Sequence, residues 1–230
     1  LKQLLAIKPL RTGNLPDTAR SEIPEPLVSK KGRDELPGRR ICYFDLETQR
    51  GADEVGGWRN IHLMRLAVGV IYDSLDDAYY TYFEKDVGAL IEKLRSSDLV
   101  VGFNVIRFDY TVLQPYTIQD LQKIKTFDIL SDIHARLGYR LSLNHLAMKT
   151  LKVEKTADGL QSLKWFKEGK IDEIAHYCNK DVEITRDLFL FGNTNQYLLF
   201  EKKGCGIVRL PVEWEVEDII RNSKGSVGKS

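Results

Sequence analysis

The chain has 230 residues, 43% hydrophobic and 29% charged, the balance of a globular protein large enough for one large domain or two small ones. No apolar run approaches the ~20 residues of a membrane-spanning helix, and no secretory signal is visible. Cys42, Cys178 and Cys205 lack the paired spacing of a disulfide framework or thiolate zinc site, so a cytoplasmic protein is expected. Because the chain opens on Leu1, a processed N-terminal signal stays open.

The formal net charge of +1 hides an asymmetry: residues 1–40 hold nine Lys/Arg against five Asp/Glu, and the remainder 25 against 28. Five of the seven prolines also fall in residues 1–40. Residues 1–39 therefore read as a proline-rich basic arm or linker, with little regular structure beyond a short start at Leu1–Ile7. From residue 40, a strand is expected over Ile41–Leu46. A Gly-rich loop (Gly51, Gly56, Gly57) then leads into antiparallel strands near Leu63–Tyr72 and Ala78–Phe83. Asp86–Ser96 carries Val87, Leu90, Ile91 and Leu94 at helical spacing; Asp98–Phe103 reads as a short buried strand, and the next helix contains Asp109 and ends by Pro115. A brief strand at Lys125–Asp128 precedes helices over Ile129–Leu137, Ser142–Leu151, Gly159–Glu168 and Lys170–Phe191. Tyr197–Glu201 and Ile207–Val212 read as a hairpin around Lys-Lys-Gly-Cys-Gly. The order predicts an α/β fold with a mixed central sheet flanked by helices, a domain over 40–193 and a C-terminal hairpin extension and tail over 194–230.

Four acidic residues sit where a core would place apolar side chains. In Ile41-Cys42-Tyr43-Phe44-Asp45-Leu46-Glu47, strand alternation puts Asp45 and Glu47 on one face. Asp109, read as helical, has Val105, Ile106, Val112 and Leu113 three and four residues away; Asp181 has Tyr177, Cys178, Ile184 and Thr185. Carboxylates on core-facing stripes are costly unless paired or bound to cations, and no matching set of Lys or Arg accompanies them. A divalent metal site is the economical explanation. Hard oxygen ligands without clustered His or Cys suit Mg²⁺ or Mn²⁺.

These segments carry a resemblance. Tyr43-Phe44-Asp45-Leu46-Glu47-Thr48 resembles the first motif of the DEDD 3′–5′ exonuclease superfamily, which has a ribonuclease H-like fold. Gly102-Phe103-Asn104-Val105-Ile106-Arg107-Phe108-Asp109 resembles the second, especially as found in proofreading domains of family B DNA polymerases. Tyr177-Cys178-Asn179-Lys180-Asp181-Val182 resembles the third, in the tyrosine-bearing (DEDDy) branch. Residues 40–213 are similar to bacterial predicted exonucleases, some associated with helicase-like proteins; no polymerase palm or helicase motif is present. The resemblance implies a two-metal phosphodiester hydrolase acting on single-stranded 3′ ends, with DNA favoured over RNA. Asp45 would bridge two ions, Glu47 and Asp181 would complete the water-activating site, and Asp109 would hold the second ion through waters. Thr48, Asn104 and Phe108 would lie near the substrate.

The third motif holds an ambiguity: Tyr177 lies four residues before Asp181, as in the tyrosine branch, and His176 five, as in the histidine branch. If the helix starts after Gly169, four residues turn ~40° about its axis and five ~140°. Tyr177 then shares the face of Asp181, and His176 points away. A tyrosine, with pKa ~10, is suited to orient water rather than to act as a base at neutral pH.

Other residues have competing readings. Asn104 can be a helix N-cap, Phe108 a core residue, and Trp58 either a core residue or a base-stacking platform. Asp128 and Asp132 read as helix-start acids, whereas His62, His134 and His145 lack metal spacing. Residues 149–170 hold Lys149, Lys152, Lys155, Lys164, Lys167 and Lys170 against Glu154, Asp158 and Glu168, either a solvated face or a phosphate guide. The arm also motivates an alternative from another class: a weakly active or non-catalytic nucleic-acid-binding module tethered to a helicase or repair complex.

Overall fold

The computed structural model describes residues 38–153 and 159–222. The expected arm up to residue 37, Glu154, Lys155 and Asp158 of the basic run, and the tail from residue 223 lie outside the described residues.

Ile41–Thr48 forms β1, the middle strand of a five-stranded sheet. Leu66–Asp73 (β2) pairs antiparallel with β1, and Ala78–Phe83 (β3) antiparallel with β2. Leu99–Gly102 (β4) pairs parallel with the other edge of β1, and Thr126–Asp128 (β5) parallel with β4, giving the order β3-β2-β1-β4-β5. The pleat of β1 sends alternate side chains into two different cores. Cys42, Phe44 and Leu46 pack with Leu90, Ile91 and Leu94 of α1 (Val87–Arg95) and with Val112 and Leu113 of α2 (Asp109–Leu113). Ile41 and Tyr43 point the other way. Their core includes Ile129 and Ile133 of α3 (Ile129–Leu137), Leu146 of α4 (Leu143–Leu146), Trp165 of α5 (Gly159–Lys167), and Ile174, Cys178, Val182 and Phe189 of α6 (Ile171–Asn195). By alternation, Asp45 and Glu47 lie on this second face, beneath α6.

A hairpin of β6 (Tyr197–Lys202) and β7 (Gly206–Pro211), followed by α7 (Val216–Asn222), joins the same core. Trp214 anchors it: the fully buried indole stacks on Phe189 at 5.8 Å between ring centroids, and its Nε1–H donates to Asp132 Oδ2 at 2.9 Å. Gly192 lets the ring lie against α6, because a Cβ there would collide with the Trp214 ring.

Four elements differ from the sequence expectation, one of them α7, which lies where only a tail after the hairpin was expected. β2 begins at Leu66 rather than Leu63: residues 58–63 form tight helical turns, and Arg65 takes a left-handed φ of 61° before the strand can start. Asp109 opens α2 instead of lying within it, and Val105 and Ile106 belong to the preceding turn, closed by Phe108 N–H donating to Asn104 O at 3.0 Å. The expected helix over 142–151 is one turn of α4 followed by a wider turn over Ala147–Leu151. Elsewhere helix and strand limits agree within a few residues.

Candidate active site

β1 outruns its neighbour. The last β1–β4 pair is Phe44 with Gly102, so the edge of β1 beyond it must find another acceptor for its amides. The Leu46 N–H donates to Asp109 Oδ1 at 3.1 Å. This bond ties the first residue of α2 to the end of β1, at the carboxyl ends of the parallel strands, where open α/β sheets commonly place their sites.

The turn before Asp109 is held by Asp128. Its Oδ1 accepts the amides of Asn104 (2.9 Å) and Ser131 (3.2 Å), and its Oδ2 that of Ile106 (3.1 Å). Asp128 is thus the cap that starts α3, as its sequence position suggests, and also the brace of the Asp109 turn. Gly102 makes the turn possible, since a Cβ would stand 2.8 Å from Val105 Cβ and 3.0 Å from Phe44 O. Asn104, at a φ of 70°, does not cap α2; its side-chain oxygen accepts a 2.7 Å hydrogen bond from Arg140 Nη2.

From above the sheet, α6 contributes Tyr177 and Asp181. The helix starts at Ile171, after Gly169, as expected. Tyr177 and Asp181 are both 4% exposed, whereas His176 lies on the exposed side. Carboxylate oxygens of Asp45, Glu47 and Asp181 all lie within 4.8 Å of one another, and the fourth acid, Asp109, is buried and near enough to feel the charge of Asp45. Burial, followed by the negative charges of Asp45, Asp128 and Glu47, raises the Asp109 carboxyl well above the usual carboxylate range. Burial first, then Asp181, Glu47 and Asp45, push the Tyr177 hydroxyl far above its ordinary value. Cys178 Sγ faces the Asp45 carbonyl at 3.3 Å and its carboxylate at 3.6 Å; burial and those charges hold its thiol protonated.

This donor set fits a hard divalent cation. Three carboxylate oxygens within 4.8 Å approach the span that one ion with oxygen ligands at ~2.1 Å can close, and the adjacent sulfur is a protonated thiol, a poor ligand.

The carboxylates form the floor of a cleft of about 1090 Å³. Leu46, Thr48, Phe103, Phe108 and Tyr177 line it, as do residues of two walls: the loop at Gly51, Ala52, Asp53, Glu54 and Trp58, and α5 at Leu160, Leu163, Lys164 and Lys167. Thr48 is buried and donates from Oγ1 to Arg50 O at 3.0 Å. Phe108 is half-buried and meets Trp58, with ring centroids 6.5 Å apart. Trp58 itself is 69% exposed, so its core reading fails. Asn104 lies outside the cleft lining.

The described lysines of 149–170 do not share one face. Lys149 pairs with Glu201 at 2.6 Å and Lys170 with Glu168 at 2.7 Å; Lys164 and Lys167 reach the cleft. His62 and His134 are exposed, and His145 Nε2 accepts the Glu201 N–H at 3.0 Å. Sequence reasoning missed Cys178 as a neighbour of Asp45, Asp128 as a brace, and Glu54 as part of a wall. The first two carried a signal in their positions, one residue after Tyr177 and at the end of a strand; Glu54 carried none.

A family model described as a 3′–5′ exonuclease matches residues 43–191, well over half of the chain. No curated protein sequence matches significantly. Among solved structures, the family B DNA polymerase from the hyperthermophilic archaeon Pyrobaculum calidifontis is similar over 70% of this chain, with a TM-score of 0.50 and 13% identity; the chain spans 26% of that polymerase's length. That likeness concerns the fold, a mixed five-stranded α/β sheet of ribonuclease H-like form. The family match runs from the strand that carries Asp45 to the helix that carries Asp181, and the chain belongs to the 3′–5′ exonuclease family.

Proposed function

We propose that this exonuclease domain removes nucleotides from the 3′ end of single-stranded nucleic acid, DNA in preference to RNA. Two divalent ions, Mg²⁺ or Mn²⁺, would be held by Asp45, Glu47, Asp109 and Asp181. The single observation that carries the reading is the convergence of these acids on the floor of one cleft. Phosphodiester hydrolysis needs a nucleophile at neutral pH and relief of charge on the attacking and leaving oxygens. Divalent ions at such a site supply both, by lowering the pKa of water and by neutralising charge.

The protein's own groups do the placing. Asp45, Glu47 and Asp181 would hold one ion, and Asp109, at the start of α2, would add to the ligand set. Tyr177 keeps its proton at working pH, so its hydroxyl orients the attacking water by hydrogen bonding rather than removing a proton from it. Thr48 and Phe108 border the terminal nucleotide from the floor and side of the cleft.

The DNA preference rests on the likeness of residues 102–109 to the second motif of polymerase proofreading domains. Matched single-stranded DNA, RNA and duplex substrates, labelled at either end and digested in parallel, test the substrate. Faster shortening of single-stranded DNA from its 3′ end is expected; faster digestion of RNA or of blunt duplex would overturn the substrate assignment.

A further inference from the structure

The cleft faces an anionic substrate with six acids in its lining: Asp45, Glu47, Asp53, Glu54, Asp109 and Asp181. Among the described residues, its basic lining is Lys164 and Lys167, both exposed on α5. Bound cations on the floor would answer the inner acids, but the mouth depends on these two lysines for its attraction to phosphate.

Lys167 is engaged. Its Nζ pairs with Glu54 Oε1 at 2.9 Å, across the cleft from α5 to the opposite wall. Glu54 is itself held by its other oxygen, which accepts the Gly51 N–H at 2.9 Å. Below the pair the walls touch: a Cβ on Gly51 would come within 2.9 Å of Leu163 Cδ1. The ion pair therefore joins a loop and a helix that are already in contact, as an exposed carboxylate on a cation that faces the substrate cleft.

Two large apolar side chains flank the same mouth. Trp58 is 69% exposed on the loop wall and Leu160 76% exposed on α5. An aromatic platform beside lysines is the chemistry of single-strand recognition: bases stack and phosphates pair, whereas a duplex keeps its bases inside.

We propose that the mouth between residues 51–58 and α5 binds a single-stranded nucleotide segment, with a base on Trp58 and a phosphate on Lys167, and that this phosphate displaces Glu54. Glu54 is then a built-in competitor, occupying the lysine until a strand enters. The inference rests on the exonuclease reading and specifies its single-strand selectivity.

The test uses the whole chain, Ca²⁺ in place of Mg²⁺, and an oligothymidylate with phosphorothioate linkages, so that binding is read apart from hydrolysis. Intrinsic tryptophan emission reads binding, and the Trp58→Phe variant separates the Trp58 signal from that of Trp165, which packs on Tyr177 of the cleft. Quenching by the oligonucleotide is expected, and its loss in Trp58→Phe. Glu54→Gln should bind about two- to fivefold tighter, the scale open to an exposed ion pair, although its melting temperature should not rise. Lys167→Met should bind more weakly, with a salt slope shallower by about 0.7 for one lost single-strand phosphate contact. In the Lys167→Met background, Glu54→Gln should give no gain.

Unchanged or weaker binding by Glu54→Gln would overturn the proposal, as would a gain that persists without Lys167. If the unaltered protein binds and hydrolyses single strands while Glu54→Gln shows no gain, the competitor role alone fails. If it neither binds nor hydrolyses them, the exonuclease reading fails with it.

Discussion

Removing one negative charge from the floor should make the metal-free protein more stable and the enzyme inactive. Asp181→Asn keeps the shape of the side chain and an oxygen that can accept from Tyr177. What it deletes is a charge within 4.8 Å of both Asp45 and Glu47. At an effective dielectric of 20, two unit charges at that distance repel by about 3.5 kcal/mol. Two such pairs sum to about 7 kcal/mol, which proton uptake and rotamer adjustment reduce; a net gain of ~1–3 kcal/mol is expected, the usual size of a single substitution's effect. In a chain of this length each kcal/mol moves the melting temperature by ~2–4 °C. Thermal unfolding in EDTA should therefore show Asp181→Asn melting about 2–12 °C above the unaltered protein. Added Mn²⁺ should narrow or close that gap, since an ion at 100 times its dissociation constant stabilises the intact site by ~2.7 kcal/mol and the variant by less. A variant less stable than the parent in EDTA, with an undiminished response to Mn²⁺, would refute the idea that these acids form a cation site.

The pH dependence of the metal-free protein follows from Asp109. Its folded pKa is raised, so the folded state binds the proton more tightly than the unfolded chain does. The stability it contributes is fully present below the unfolded carboxyl value of ~4 and is lost as pH rises through the folded one. Asp109 therefore works against the depressed surface acids such as Asp76 and Glu84, whose contributions are lost on acidification. Melting in EDTA should show Asp109→Asn gaining stability relative to the parent as pH rises from acid toward neutral. Tyr177→Phe should retain the fold and the Mn²⁺ shift but lose ~10²-fold in turnover, while His176→Ala stays near the parent; an essential His176 and a dispensable Tyr177 would assign the orienting role to the histidine. Trp214→Ala should cost ~3–5 kcal/mol through the cavity left between Phe189 and Gly192, read by denaturant unfolding; its activity well below the new melting point should persist, because Trp214 does not line the cleft.

The sequence makes the site legible where local periodicity governs placement. Strand alternation puts Asp45 and Glu47 on one face, and a helix start after Gly169 puts Tyr177 beside Asp181 and His176 outside; both need only the neighbouring residues. Asp109 was legible as a core-facing acid but not as the first residue of α2. That position depends on Asp128, 19 residues later, gathering the Asn104 and Ile106 amides. The start of β2 was misplaced because Ile61 and Met64 are buried from turns, which breaks the alternation that otherwise marks a strand. The cleft walls were the least legible part. Gly51 and Leu163 stand far apart in sequence, and nothing in the composition of either segment announces that Glu54 will meet Lys167.

The central claim, a divalent-dependent exonuclease built on these carboxylates, meets its most direct test in one time course. A 5′-labelled single-stranded oligodeoxynucleotide is incubated with the intact protein in Mg²⁺ or Mn²⁺, with EDTA and Asp45→Ala as paired controls and a covalently closed single-stranded circle alongside. The expected result is a ladder that shortens one nucleotide at a time from the 3′ end, absent in EDTA and in folded Asp45→Ala, with the circle intact. Shortening that continues in EDTA or in folded Asp45→Ala, or cleavage of the circle by the intact protein, would contradict it.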